Sequence, residues 1–242
     1  MSKRKLQTTS PSRSQAKRAK TTQSQVDRLF KPFQPDVEFS TKYKVELEGA
    51  DVYYKEDFIP SETADHWYEE LNTLDTWYQP TLKVYGKDVI QSRLIAAYAT
   101  DPQLTVKYSG HPVILHTEYP PALRKIQDQV EEQLGVTFNH VMLNKYEDGS
   151  VYIGKHSDTK ENKVIASVSL GAVRTFIMSP KSASRSKGSK SKPVEAKRWD
   201  LANGSLVVMQ GQTQVNWKHE IPKQPKITQG RISLTFRQLI NQ

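Results

Sequence analysis

The run Arg231-Ile232-Ser233-Leu234-Thr235-Phe236-Arg237 is the most restrictive stretch of the chain. Side chains on a β-strand alternate between faces, so an extended backbone puts Ile232, Leu234 and Phe236 on one side and Arg231, Ser233, Thr235 and Arg237 on the other. At about 3.3 Å per residue the two arginine α-carbons lie roughly 20 Å apart, and each side chain reaches about 7 Å. Leaning inward, the guanidiniums bracket a small dianion. Because guanidinium grips carboxylate bidentately, a short dicarboxylate suits such a face. A solvent-facing strand with a charge at each end accounts for the same seven residues equally well, and the strand alone leaves both readings open.

A second feature bears on that choice. His156 and Asp158 lie two residues apart, and on an extended backbone they point the same way and can share a metal. His219 supplies a second imidazole. Two histidines and one carboxylate form the facial arrangement that leaves positions open on iron(II), where one end of a dicarboxylate would sit. Alone, His-x-Asp arises by chance, and a strand histidine is more often an ordinary polar residue than a ligand.

Taken together, Asn144-Lys145-Tyr146, His156-Ser157-Asp158, Ile165 to Gly171, Asn203-Gly204-Ser205-Leu206, Trp217-Lys218-His219 and Arg231 to Arg237 have the order and spacing of AlkB-type iron(II)/2-oxoglutarate dioxygenases. Over about residues 50 to 242 the chain resembles their eukaryotic nucleic-acid-repair branch. The resemblance implies that His156, Asp158 and His219 hold Fe(II) and that O2 is the co-substrate. It assigns Arg231 to the distal carboxylate of 2-oxoglutarate and Arg237 to its metal-side end, with Asn144 and Tyr146 as hydrogen-bond partners. Ser233 stands where the family usually has asparagine, and a serine still donates to a carboxylate.

The implied reaction is oxidative demethylation of N-alkylated bases such as 1-methyladenine and 3-methylcytosine, with DNA ahead of RNA as substrate. On the same grounds Tyr108 is expected to stack on the target base. Val84 and Tyr85 match a hydrophobic finger that fills the gap left by an extruded base, although an ordinary packing pair explains them as well. The chain departs from the family after Asp158, reading Thr159-Lys160-Glu161 where acidic residues usually follow. Glu161 is expected to take the acidic role, with Lys160 turned to solvent or phosphate.

Charge placement refines this picture. The net charge is +9, but residues 1–20 carry seven Lys/Arg and no acid, and residues 181–198 carry seven Lys/Arg against Glu195, which leaves the rest of the chain at −4. Any long-range attraction to phosphate is therefore expected in those two segments, although solvated runs that merely aid solubility have the same composition. Lys3-Arg4-Lys5 and Lys17-Arg18-Ala19-Lys20 resemble a bipartite nuclear import signal, which predicts a nuclear location. The absence of cysteine excludes disulfides, thiolate metal sites and a cysteine nucleophile, and suits a reducing compartment. No apolar leader or spanning run is visible, so a soluble, intracellular, monomeric protein is expected.

The local patterns predict a disordered basic tail over residues 1–40 and a dioxygenase domain over 41–242. Within that domain the expected division is a nucleic-acid-recognition cap at about 41–137 and a core at 138–242 with an exposed basic insertion at 181–198. Leu29 to Phe33 is either a docking peptide for a protein partner or the first packed segment. The patterns give a strand at Val52-Tyr53-Tyr54, then a helix capped by Ser61 with Ala64, Trp67, Leu71 and Leu74 on one face. A turn follows at Gly86, then a strand over Thr105–Ser109 and a helix opened by Pro120-Pro121 and stopped by Gly135.

Later strands are expected at 138–146, 164–170, 173–178 and 205–209, the second and third joined tightly through Gly171-Ala172, and Val215 to His219 leads to the second histidine. Many short strands, with helices confined to the first half, predict a β-rich α+β fold: a double-stranded β-helix, or jelly roll, with an N-terminal α/β cap. Two other classes share part of this pattern. A metal-free nucleic-acid-binding module has no use for inward arginines, and a cupin-like zinc hydrolase has no dependence on 2-oxoglutarate or oxygen.

Overall fold

The computed structural model describes residues 30–84, 86–108, 111–159, 162–181 and 195–239. Packing begins at Phe30. Phe30 and Phe33 are buried, and helix α1 (Val37–Tyr43) is capped by Asp36, whose carboxylate accepts from the Phe39 N–H at 2.7 Å. The fold thus reaches ten residues further back than the expected boundary at 40. Phe33, Phe39 and Tyr53 form an edge-to-face aromatic cluster that repays ordering this segment.

The chain continues through β1 (Asp51–Lys55), α2 (Ser61–Asn72), β2 (Thr81–Val84), β3 (Lys87–Ile90), β4 (Leu94–Ala99), β5 (Lys107–Tyr108), β6 (His111–Pro112) and α3 (Pro121–Leu134). Next come β7 (His140–Tyr146), β8 (Ile153–His156), β9 (Val164–Gly171), β10 (Arg174–Pro180), β11 (Lys197–Leu201), β12 (Leu206–Gln210), α4 (Thr213–Asn216), β13 (Trp217–Ile221) and β14 (Arg231–Arg237). The expected helices are present, with one difference. Pro60 rather than Ser61 holds the cap position of α2, with no side-chain hydrogen bond, and the further helical turn α4 leads into the strand of the second histidine. The strand around Thr105–Ser109 is only Lys107–Tyr108.

Strands pair antiparallel in a six-stranded sheet, β1-β12-β9-β14-β7-β4, and a four-stranded sheet, β11-β10-β13-β8. This is a jelly roll. β1 and β4 fall in the expected cap but are strands of the large sheet, where they cover the outer edges of β12 and β7. The tight Gly171-Ala172 link is not a hairpin. It is a corner at which the chain leaves the large sheet after β9 and enters the small one at β10. Gly171 makes this possible at φ +84°, and a Cβ there would lie 2.6 Å from the Gly230 carbonyl. The basic insertion ends sooner than expected, because Lys197 and Arg198 belong to β11; residues 182–194, like the basic tail to residue 29, lie outside the described residues.

β14 lies in the middle of the large sheet, hydrogen-bonded to β7 and β9, and is buried along almost its whole length. Ile232, Leu234 and Phe236, each fully buried, pack with Ala64, Trp67 and Leu71 of α2 and Ile126 and Val130 of α3. Burying each of these three side chains stabilises the fold by about 1.5–3 kcal/mol. The opposite face of β14 looks into the space between the sheets, which rules out a solvent-facing strand.

Candidate metal and cofactor site

The small sheet brings the two histidines together by register. His156 ends β8 directly opposite His219 of β13, with ring centroids 4.3 Å apart. The His156 Nδ1–H donates to the Gly154 carbonyl at 2.8 Å, which turns Nε2 toward the shared centre. Asp158 is not on the strand as the alternation argument assumed, because β8 stops at His156. Its position is fixed by cross-links instead. The Ser157 hydroxyl donates to the Trp217 carbonyl at 2.8 Å, and the Asp158 N–H donates to Gln214 Oε1 at 2.9 Å. His156, Asp158 and His219 place one ligand atom each within 4.8 Å of one another.

Arg237, at the end of β14, ties the large sheet to this cluster. Its Nε and Nη2 donate to Asp158 Oδ1 at 3.0 and 2.5 Å, while Oδ2 faces His219 Nε2 at 3.5 Å. Burial opposes ionisation of Asp158, yet Arg237 and the two imidazoles hold its carboxyl well below the usual carboxylate range. Burial first, then His156, pushes His219 down to about 3, and burial lowers His156 too. The cluster is thus one anionic oxygen and two neutral imidazoles, a donor set suited to a divalent first-row metal with positions left open. Arg237 occupies Oδ1 with two hydrogen bonds, which leaves Oδ2 as the oxygen free to ligate.

Arg231, six residues away on the same face, is buried beside a cavity of about 190 Å³ that also reaches the triad. Its Nη2 donates to Ser169 Oγ at 2.9 Å, while Nε and Nη1 have no partner among the described residues. Burial pushes its pKa down to about 10. A buried cation with two unused donors beside a cavity is costly unless an anion completes it, and a dicarboxylate reaching from the metal would do so. The residues present therefore fit both iron(II) and 2-oxoglutarate. Asn144, Tyr146 and Ser233 line the same cavity, with Ser233 Oγ 3.2 Å from Ser167 Oγ.

Among the lining residues that sequence reasoning missed, two are polar and buried. Arg93, buried just before β4, donates through Nε to Asn144 Oδ1 at 2.8 Å and so fixes the orientation of that amide. An arginine at the entrance to the apolar run Leu94–Ala99 was the available signal. His140 starts β7 at the inward parity of Met142, Asn144 and Tyr146, and it was passed over because no motif includes it. The residues expected to meet the base are less well placed. Val84 ends β2 and Tyr108 ends β5, but their side chains, together with Tyr85, Lys160 and Glu161, lie outside the described residues. Thr159 does line the cavity.

A jelly roll with a two-histidine, one-carboxylate cluster at one end of a buried arginine strand defines a class, the metal-dependent oxygenases that draw on a dicarboxylate co-substrate. The chain belongs to the 2OG-Fe(II) oxygenase superfamily, whose family model matches residues 51–237, and it is accordingly an iron(II)- and 2-oxoglutarate-dependent enzyme. It is 36% identical over 203 residues to the human "DNA oxidative demethylase ALKBH2", covering 81% of this chain and 76% of that protein. It is 32% identical over 209 residues to the Arabidopsis thaliana protein of the same name, of which it spans 66%, and 33% identical over 184 residues to the human "Alpha-ketoglutarate-dependent dioxygenase alkB homolog 3", of which it spans 63%. The solved structure of OsALKBH1 overlays with a TM-score of 0.54 at 16% identity, over 81% of this chain and all of that one, and so shares the fold.

Proposed function

We propose that the protein removes methyl groups oxidatively from N-alkylated bases of DNA, with 1-methyladenine and 3-methylcytosine as substrates. The observation that carries this reading is the pairing of the His156/Asp158/His219 cluster with Arg231, a buried arginine lining the same cavity, two of whose donors have no partner among the described residues. The names of the relatives point the same way. Bound iron(II) and 2-oxoglutarate supply the oxidation, in which O2 and 2-oxoglutarate give succinate and CO2 while the N-methyl group becomes N-hydroxymethyl and leaves as formaldehyde.

The protein's own residues position these partners. His156, Asp158 and His219 would hold the metal, and Arg237 keeps Asp158 ionised. Arg231 binds the far carboxylate, assisted by Tyr146 and Ser233, while Arg93 presents the Asn144 amide group to the cofactor. A base inside a duplex cannot reach this cavity, so a single strand or an extruded nucleotide is required. Tyr108 then stacks on the base, Val84 and Tyr85 occupy the vacated space, and Glu161 accepts from the exocyclic amine. The basic segments attract the DNA backbone, and the bipartite basic clusters direct the protein to the nucleus.

The test is mass spectrometry of oligonucleotides bearing one defined N-methyl base after incubation with iron(II), ascorbate and 2-oxoglutarate. Loss of the methyl group with matching succinate is expected. Turnover of 2-oxoglutarate that leaves every methylated base intact would move the substrate outside nucleic acid.

A further inference from the structure

His140 is almost completely buried, yet neither ring nitrogen has a hydrogen-bond partner among the described residues. A buried imidazole with two unmet polar atoms costs stability, so its presence at an inward position points to a ligand. The cavity it lines has two ends. Arg231 marks one, next to Gly171 and Tyr146 on the neighbouring strands. His140 marks the other, directly opposite Arg237 and near Leu239, whose N–H is held by Asn139. On the proposed function the far carboxylate of the cofactor goes to Arg231, so a group at the His140 end would meet what enters beside the metal, the target base.

Burial disfavours the imidazolium, as does the neighbouring Arg237, and a neutral imidazole carries one N–H donor. Of the two expected substrates, 3-methylcytosine has a ring carbonyl beside its N-methyl group and 1-methyladenine does not. Both are cationic, and both carry an exocyclic amine. We infer that His140 is a specificity-determining residue whose N–H donates to the ring carbonyl flanking the methylated nitrogen, so that the site prefers 3-methylpyrimidines to 1-methyladenine. This inference rests on the demethylase reading. It also extends the substrates to 3-methylthymine, which is neutral and has two such carbonyls.

The experiment measures binding of the iron(II)- and 2-oxoglutarate-loaded full chain, without oxygen, to one oligonucleotide carrying 3-methylcytosine, 3-methylthymine, 1-methyladenine or an unmodified base. His140→Phe keeps the bulk and removes the donor, and His140→Met is the second variant should the first fail to fold. The parent is expected to favour both 3-methylpyrimidines over 1-methyladenine, and either variant to lose about tenfold of that preference while 1-methyladenine binding stays within about twofold. A ratio unchanged by both substitutions, or an equal loss for all three methylated bases, would overturn the assignment and make His140 a packing residue. Failure of the parent to prefer any methylated base over the unmodified one would instead bring down the demethylase reading.

Discussion

Arg231→Met isolates the most unusual energetic feature of the site. Among the described residues two donors of the buried Arg231 guanidinium have no partner, and leaving them unmet costs about 1–3 kcal/mol. Methionine fills a similar volume without charge or donors, so the variant is expected to be more stable than the parent when no cofactor is bound, melting a few degrees higher. With 2-oxoglutarate the order reverses. At a hundredfold excess over its dissociation constant the cofactor stabilises the parent by about 2.7 kcal/mol, which for a domain of this size raises the melting temperature by roughly 5–10 °C. The variant loses nearly all of that rise. Thermal melts of both proteins, loaded with iron(II) under anaerobic conditions and with or without 2-oxoglutarate, read the two quantities separately. An Arg231→Met protein that melts lower than the parent without cofactor, or keeps the cofactor-dependent rise, would refute the argument and make Arg231 a structural cation.

Three further outcomes are expected. Asp158→Ala abolishes 2-oxoglutarate turnover and tight iron binding, and it leaves Arg237 buried without its anion, so circular dichroism should show a folded protein of reduced melting temperature; full turnover would remove Asp158 from the ligand set. His140 and His219 are both pushed down to about 3, so the unfolded chain takes up protons before the folded one; the iron-free protein should be fully stable above about pH 6.5 and lose about 1.4 kcal/mol per pH unit for each of the two as pH falls toward about 3. Urea unfolding midpoints across that window, flattened in His140→Phe, are the measurement, and a parent curve without slope would show that these imidazoles are solvated. Deleting residues 182–194, or the tail before Phe30, should flatten the salt dependence of DNA binding while sparing turnover of a free methylated nucleoside, and unchanged slopes in both deletions would mark the segments as inert.

The sequence was most legible where one element alone decides the outcome. The faces of β14, the α3 helix between Pro121 and Gly135, and the Gly86 turn depend on alternation, helical spacing and backbone freedom, which are local quantities. The sequence was least legible where partners come from far along the chain. Nothing near residue 94 says that Leu94–Ala99 is an edge strand of the large sheet beside β7, and nothing near Gly171 distinguishes a hairpin from a corner between sheets. For the same reason His156, Asp158 and His219 could be named from motif spacing, whereas Arg93 and His140 could not. Each is conspicuous only once β4, β7 and β14 lie side by side.

That arrangement also explains why a single strand can organise both halves of the chemistry. β14 belongs to the large sheet, and the His156/Asp158/His219 cluster comes from the small sheet and the segment just after β8. The Arg237–Asp158 hydrogen bonds are the link between them, so the cluster is fixed relative to β14 rather than only to its own sheet. Arg231 lies six residues back on the same strand, and a strand in the middle of a sheet, paired on both sides, stretches very little. The roughly 20 Å between the two α-carbons therefore sets how far the Arg231 end of the strand stands from the Arg237–Asp158 link. Lengthening the strand between the arginines by two residues would keep both side chains on the inward face but separate them by about 7 Å more, so the placement of Arg231 relative to the histidine–aspartate cluster is written into the spacing of the two arginines as much as into their chemistry.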